Sequence, residues 1–326
     1  MSRTRHTVFF QLFNVNTILI KSVLLMLIPS SPDTQKNGII LVFAAGVLWS
    51  TVGLGIRLIE DAVVWQILLY RSISMSLFLY VVIRLWSKES PFTQLRRTGF
   101  PSILAGFSLV AAYSGGIYAI QNTSVASAML LFAAAPFMAA ILGWLFLKEF
   151  VGVATWGAIL FALLGIAIMV SNKTDDIAFW GSLAALGSAL GFAVFTVALR
   201  WGREREMLPS VFLSGLIAGV ITFMVCLIQD ISLTLSLQDG GVAMGMGVFQ
   251  VGAGLILYTL GSRTLPAADL ALLSLAEVLL GPFWVWLFLN ETASLNTLFG
   301  GAILLAAIGG NALLGKRSKP PPIITP

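Results

Sequence analysis

Two charged residues stand where an apolar chain has least use for them: Arg71 in QILLYRS and Glu277 in LAEVLLG. An ion in such surroundings must be paired, neutralised or turned to water. An arginine there is suited to hold a carboxylate through its planar fork. A glutamate is suited to hold a cationic group or to carry a proton. The two lie at similar depth, so an Arg71–Glu277 pair is one option; if Arg71 faces the cavity, an anionic or zwitterionic solute is favoured. Each also has a plainer reading. Arg71 can extend outward toward Glu60 or Asp61, and Glu277 can bond a neighbouring helix and only fix packing. The aromatic residues Trp49, Tyr113, Tyr118, Tyr258 and Trp284 lie at related depths. They are candidates to stack on a flat or cationic solute, and packing is the alternative for each. Pro136, Gly281 and Pro282 are expected to interrupt their helices and free a backbone carbonyl, for a bend or for a polar ligand.

Other chemistries lack their residues. The single histidine, His6, lies near the start, and the single cysteine, Cys226, lies in an apolar run. A histidine metal site and a disulfide framework are excluded, and no cofactor is expected. GNALLGKR at 310–317 has the outline of a phosphate-binding loop but ends in Arg where Ser or Thr is required. HExxH pairs and Asp-rich diphosphate motifs are absent, so the chain is not read as an enzyme.

The elements that position these residues can be read from composition. Of 326 residues, 58% are hydrophobic and 10% charged, and mean hydropathy is +0.95. Soluble domains carry roughly a quarter charged residues, so lipid must solvate most of this chain. Ten apolar stretches can span about 30 Å of hydrocarbon as helices: about 38–56, 63–86, 100–120, 124–147, 153–171, 179–199, 210–229, 241–261, 266–289 and 295–314. With the N-terminus inside, sixteen Lys and Arg fall on the inner side and only Arg57 and Lys173 on the outer. That bias places both termini in the cytoplasm of a multi-pass cell (plasma or inner) membrane protein. The basic residues are scattered between apolar runs, so the net charge of +5 points to membrane orientation and not to nucleic acid. Residues 1–37 hold an apolar stretch broken by Asn14, Asn16 and Lys21, read as an upstream extension or surface helix. Residues 315–326 form a cytoplasmic tail.

LFAAAPFMAAILGWLFLKE at 131–149 and LSLAEVLLGPFWVWLFLNE at 273–291 share seven identities in nineteen positions. A similar offset pairs GIILVFAAGVLWS of the first span with GSLAALGSALGFA of the sixth. The chain therefore reads as two five-helix halves, 38–171 and 179–314. Five is odd, so the halves are inverted in the membrane, the arrangement of secondary transporters. Glu149 and Glu291 end equivalent spans on opposite faces and are expected to anchor the helix ends. Asp269 comes after Pro266 in the ninth span, beside Arg263, where it suits a helix N-terminus.

AAAPFMAAILGWLFLKE with ATWGAILFALLGIAIMVS, and LAEVLLGPFWVWLFLNE with LNTLFGGAILLAAIGG, resemble the drug/metabolite transporter superfamily, EamA type, over about 38–314. The arginine early in the second span fits the same pattern. One departure is Glu277-Val278, where the family often has Glu-Pro; Pro282 stands four residues later. The resemblance implies an all-α secondary transporter with its cavity between the halves. Many bacterial members export. An exporter of amino-acid-like or amphipathic solutes is expected, with import of a vitamin or nucleobase-like compound as the alternative. A membrane-embedded enzyme and a non-transporting subunit are the readings from other classes. The partners are a small solute and the bilayer, with proton coupling and a homodimer left open. A topology reporter fused at residue 2 should read as cytoplasmic; an outside reading would mean an eleventh span.

Overall fold

Hydrocarbon offers backbone groups no hydrogen bonds, so a chain of this composition has to satisfy them internally. The computed structural model describes residues 34–87, 89–171, 176–201, 208–262 and 267–314, and among these there are helices and no strands. The first half comprises α1 (Thr34–Ser50), α2 (Val52–Leu58), α3 (Val64–Ser87), α4 (Pro91–Thr98), α5 (Phe100–Asn122), α6 (Val125–Phe132), α7 (Ala135–Leu147) and α8 (Val153–Ser171). The second comprises α9 (Asp176–Trp201), α10 (Leu208–Ile228), α11 (Leu237–Gly245), a π-helical stretch Met246–Ala253, α12 (Gly254–Ser262), α13 (Ala267–Leu289) and α14 (Leu295–Leu314). Eight stretches among the described residues are long and apolar enough to cross a membrane, from Asn37–Leu58 to Leu237–Gly261. Two shorter apolar helices come after them, Ala276–Leu289 and Leu295–Asn311. The extension 1–33, the tail from 315, and the residues Arg263 and Pro266 lie outside the described residues, and so does the side chain of Asp269.

Polarity runs from inside to outside as lipid requires. Leu85, Phe146, Phe150 and Ile228 face outward, while Ser72, Ser76, Ser188, Ser214, Thr222 and Gln250 are buried. Buried hydroxyls turn back on their own helices: Ser50 Oγ donates to the Val47 carbonyl at 2.7 Å and Thr51 Oγ1 to the Leu48 carbonyl at 2.6 Å. Such back-bonding bends helices, and these two residues mark the junction of α1 and α2.

Packing is symmetric under exchange of the halves. The first span of each half, α1 or α9, packs on the third and fourth spans of the other: α1 on α12 and α13, α9 on α5, α6 and α7. The second spans meet as α3 on α10, and the fifth as α8 on α14. The helices thus sort into two groups that each mix both halves: α1 and α2 with α11–α13, and α9 with α5–α7. Trp49 and Phe192 are equivalent positions in the alignment of the first and sixth spans, and their rings meet edge to face at 6.3 Å. Equivalent residues meet where a pseudo-two-fold axis passes.

Two expectations are corrected. The eighth span begins at Leu237 and not at 241, because Ser236 caps it by accepting the Asp239 N–H at 3.0 Å. Asp239 is buried there and accepts the backbone N–H groups of Glu60, Asp61 and Ala62 at 3.1–3.2 Å, fastening the loop after α2 to α11. The other correction concerns Gly281 and Pro282: α13 runs unbroken through both. One missing donor is tolerated in a membrane helix whose neighbours hold it. The break in the first half is real but lies at Ala133–Ala134, where 3₁₀-type bonds to Leu130 and Leu131 end α6, and Pro136 enters the first turn of α7.

The α8–α14 contact depends on small residues. A Cβ at Gly165 would stand 2.5 Å from the Gly300 carbonyl oxygen, whereas one at Gly157 on the same helix would meet nothing within 4 Å. Gly165→Ala should therefore cost about 1–3 kcal/mol, and Gly157→Ala should be close to neutral. Thermal unfolding of the two variants in one detergent checks the contrast.

Candidate functional site

The helices surround a central, partly open cavity of about 190 Å³. Arg71, Gln250, Ser188 and Glu277 supply its polar lining, Trp49, Tyr113, Phe132 and Phe192 its aromatic lining, and mostly aliphatic residues the rest. Both halves contribute. The site is small, mostly apolar, and carries a few convergent polar groups, as solute sites do.

Arg71 is 4% exposed and its guanidinium carbon stands 4.7 Å over the centre of the Tyr113 ring. The ring face substitutes for water around a cation that has lost its hydration. Of the two directions open to Arg71, the structure shows the inward one. The backbone N–H groups of Glu60 and Asp61 are engaged by Asp239. On its other side α3 meets the π-helical stretch. A Cβ at Gly247 would collide with the Arg71 carbonyl and with Ser74 Oγ, so only glycine allows this approach. A π-turn adds one residue to a helical turn and so rotates the residues beyond it, and such turns recur at functional sites. Here the turn contains Gln250, 6% exposed, whose side-chain oxygen has no hydrogen-bond partner among the described residues. Such a group calls for a ligand or water as its partner.

Glu277 faces the same cavity from α13. Among the described residues nothing hydrogen-bonds or ion-pairs it, so neither the packing role nor a direct Arg71–Glu277 pair is seen. Trp49 sits between the halves, 5.2 Å from the Tyr258 ring and against Phe192. Pro136 also lines the cavity, through the break above it.

The remaining expected residues lie elsewhere. Tyr258 supports Trp49 from behind and is not among the lining residues. Trp284 donates its indole N–H to Ser50 Oγ at 2.9 Å, tying α13 to the bend after α1. Tyr118 is 40% exposed on the outside of α5. Gly281 packs against Met129, and Pro282 lines a second cavity near the end of α13. Gln250 and Ser188 were not singled out by sequence reasoning. Neither carries charge, and only the π-turn and the crossing of α9 with α5 aim them inward; Ser188 Oγ donates to the Ala112 carbonyl of α5 at 2.7 Å. Among the described residues no group of three His, Cys, Asp or Glu side chains could hold a metal ion.

Glu149 and Glu291 do more than end their spans. Arg57 Nε donates to Glu291 at 2.8 Å, and Arg200 Nη1 donates to Glu149 at 2.5 Å. The glutamates are 142 residues apart and the arginines 143, so the two pairs are equivalents in the repeat. Each joins one half to the other.

The EamA-like transporter family model matches this chain twice, over residues 36–171 and 179–312. The chain belongs to the EamA-like transporter family. With it comes membership of the drug/metabolite transporter superfamily, and the chain is a membrane transporter. It is 24% identical over 280 residues to the pseudopaline exporter CntI of Pseudomonas aeruginosa, spanning 84% of this chain and 95% of that one. It is also 25% identical over 223 residues to the uncharacterised transporter YwfM of Bacillus subtilis, 66% of this chain and 74% of that one. A solved crystal structure shares the fold with a TM-score of 0.64, at 17% identity over 87% of this chain and 99% of its own.

The Arg71–Tyr113 stack makes a direct prediction for this transporter. Tyr113→Phe keeps the ring and should leave stability nearly unchanged. Tyr113→Leu removes it and should cost about 2 kcal/mol, the strength of a desolvated cation–π contact. Unfolding midpoints of both variants in detergent decide this.

Proposed function

We propose that this protein is a secondary active exporter of amino-acid-like or amphipathic solutes, working by alternating access between two inverted five-helix repeats. The observation that carries the reading is the joint lining of one cavity by Arg71 from the first repeat and Glu277 from the second. The arginine fork would take the solute's carboxylate, with the unpartnered oxygen of Gln250 beside it. Glu277 would take a cationic group, or exchange a proton with the cavity to couple transport to the proton gradient. The apolar wall, with Trp49 at its centre, would hold the solute's hydrocarbon or aromatic part.

In this reading all ten apolar helices cross the cell membrane and both termini are cytoplasmic, so Arg57 and Glu291 face outside and Glu149 and Arg200 inside. The exchange-symmetric packing supports inverted repeats that rock about the cavity. The name of the Pseudomonas aeruginosa relative supports export as the direction.

Mass spectrometry of cells and medium, with and without overproduction, tests the function. One solute class with a carboxylate should rise outside and fall inside; accumulation inside would mean uptake. Arg71→Gln should weaken handling of that class roughly ten- to a hundredfold, the loss of about 1.5–3 kcal/mol from a charge-assisted bond. Normal transport by this variant would remove Arg71 from the site. Glu277→Gln should flatten the pH dependence of transport, and an unchanged profile would rule out coupling through that carboxylate.

A further inference from the structure

The two equivalent ion pairs are not engaged in the same way. Arg57 ends α2 and Glu291 lies just past α13, both in the helix group of α1, α2 and α11–α13. Their pair also reaches across the molecule. Arg57 Nη2 donates to the Thr123 carbonyl at 2.9 Å, and Glu291 Oε1 accepts the Val125 N–H at 2.8 Å. Thr123 and Val125 flank Ser124 in the turn between α5 and α6, which belong to the other group. One charge pair thus grips both strands of that turn through its backbone. Arg200 makes its second bond to the Ala139 carbonyl of α7, within its own group, and among the described residues its pair takes hold of nothing on the opposite side.

We propose that Arg57 and Glu291 form the outer gate of the transport cycle, clasping the α5–α6 turn to close the cavity from outside. The inference rests on the transport reading above. Apolar packing lies beside the clasp: Val125, wholly buried, stands against Gly53 of α2, and Met129 against Gly281 of α13. A partly open cavity of about 330 Å³ adjoins the clasp, lined by Val125, Ala126, Pro282, Phe283 and Glu291 among others. Alongside that apolar contact, the charge pair joins the two groups by two directional bonds that can be made and broken. The same turn carries the cavity wall, since α5 supplies Tyr113 and Gly116, and α6 supplies Met129 and Phe132. Releasing the turn lets that wall move away from Trp49 and Glu277. The backbone supplies the partners at 123 and 125, so the clasp needs a donor fork at 57 and both oxygens of a carboxylate at 291.

The test reads access to the cavity and requires no solute. Cys226→Ser removes the native thiol, and Ala133→Cys places one in the cavity lining. Labelling by a membrane-impermeant thiol reagent is then timed on intact cells and on inside-out vesicles, normalised to folded protein by size exclusion. Glu291→Gln and Arg57→Gln should each speed labelling from outside about fivefold or more, the scale of a typical coupling, and Glu149→Gln should not. Arg57→Lys keeps the charge without the fork and should act in the same direction, which covers a failure of the glutamine variants to fold. The double change Arg57→Glu with Glu291→Arg separates gate from staple. It restores the ion pair but neither bond to the turn, so labelling should stay fast; a return to the parental rate would overturn the gate. Unchanged outside labelling in every clasp variant, with the thiol still reached from inside, would overturn the gate and leave the transport reading standing. A thiol reached from neither side in any variant would overturn both.

Discussion

Charge and polarity placed among hydrocarbon must find partners inside the protein, because lipid supplies none. The rest of the structure answers to that constraint. Asp239, 2% exposed, is satisfied by three backbone N–H groups and in return fixes the loop after α2. Ser50 and Thr51 satisfy their hydroxyls on their own helix at the junction of α1 and α2, next to Trp49 of the cavity lining. Arg71 finds an aromatic face. Glu277 and the oxygen of Gln250, which find no such partner among the described residues, both line one cavity.

Duplication explains how so short a chain builds a site between two halves. Each half sends its first span to pack on the third and fourth spans of the other, so neither half is a separate body. The ion pairs Arg57–Glu291 and Arg200–Glu149 repeat that exchange at the two ends of the molecule. Symmetry is also broken in the spans that carry the site. The fourth span breaks at Ala133–Ala134 while α13 continues through Pro282, and the eighth span carries a π-turn. A solute has no two-fold symmetry, so the walls that hold it gain by differing.

The helical spans, the repeat and the family pattern were legible in the sequence, because each depends on local composition or on self-similarity along the chain. Lipid allows a run of some twenty apolar residues little but helix, and WLFLKE with WLFLNE announces the duplication. Arg71 and Glu277 were legible for a related reason: a charge in an apolar run is conspicuous without any coordinates. Which neighbour each would meet was not. Arg71 had two directions open to it, and the choice of Tyr113 depends on how α3 and α5 cross. Trp49 and Tyr258 looked alike in sequence, yet one lines the cavity and the other stands behind it. Gln250 carried no signal, since the π-turn that aims it arises from the close approach of Gly247 to α3. The terminal glutamates could be paired with each other by repeat, but their arginine partners lie 234 and 51 residues away along the chain. Sequence by itself determined the solvent, the helices and the duplication, which are properties of segments. Only the tertiary structure decided which side chains share a cavity and which pair clasps which turn, because those depend on helix crossings between distant parts of the chain.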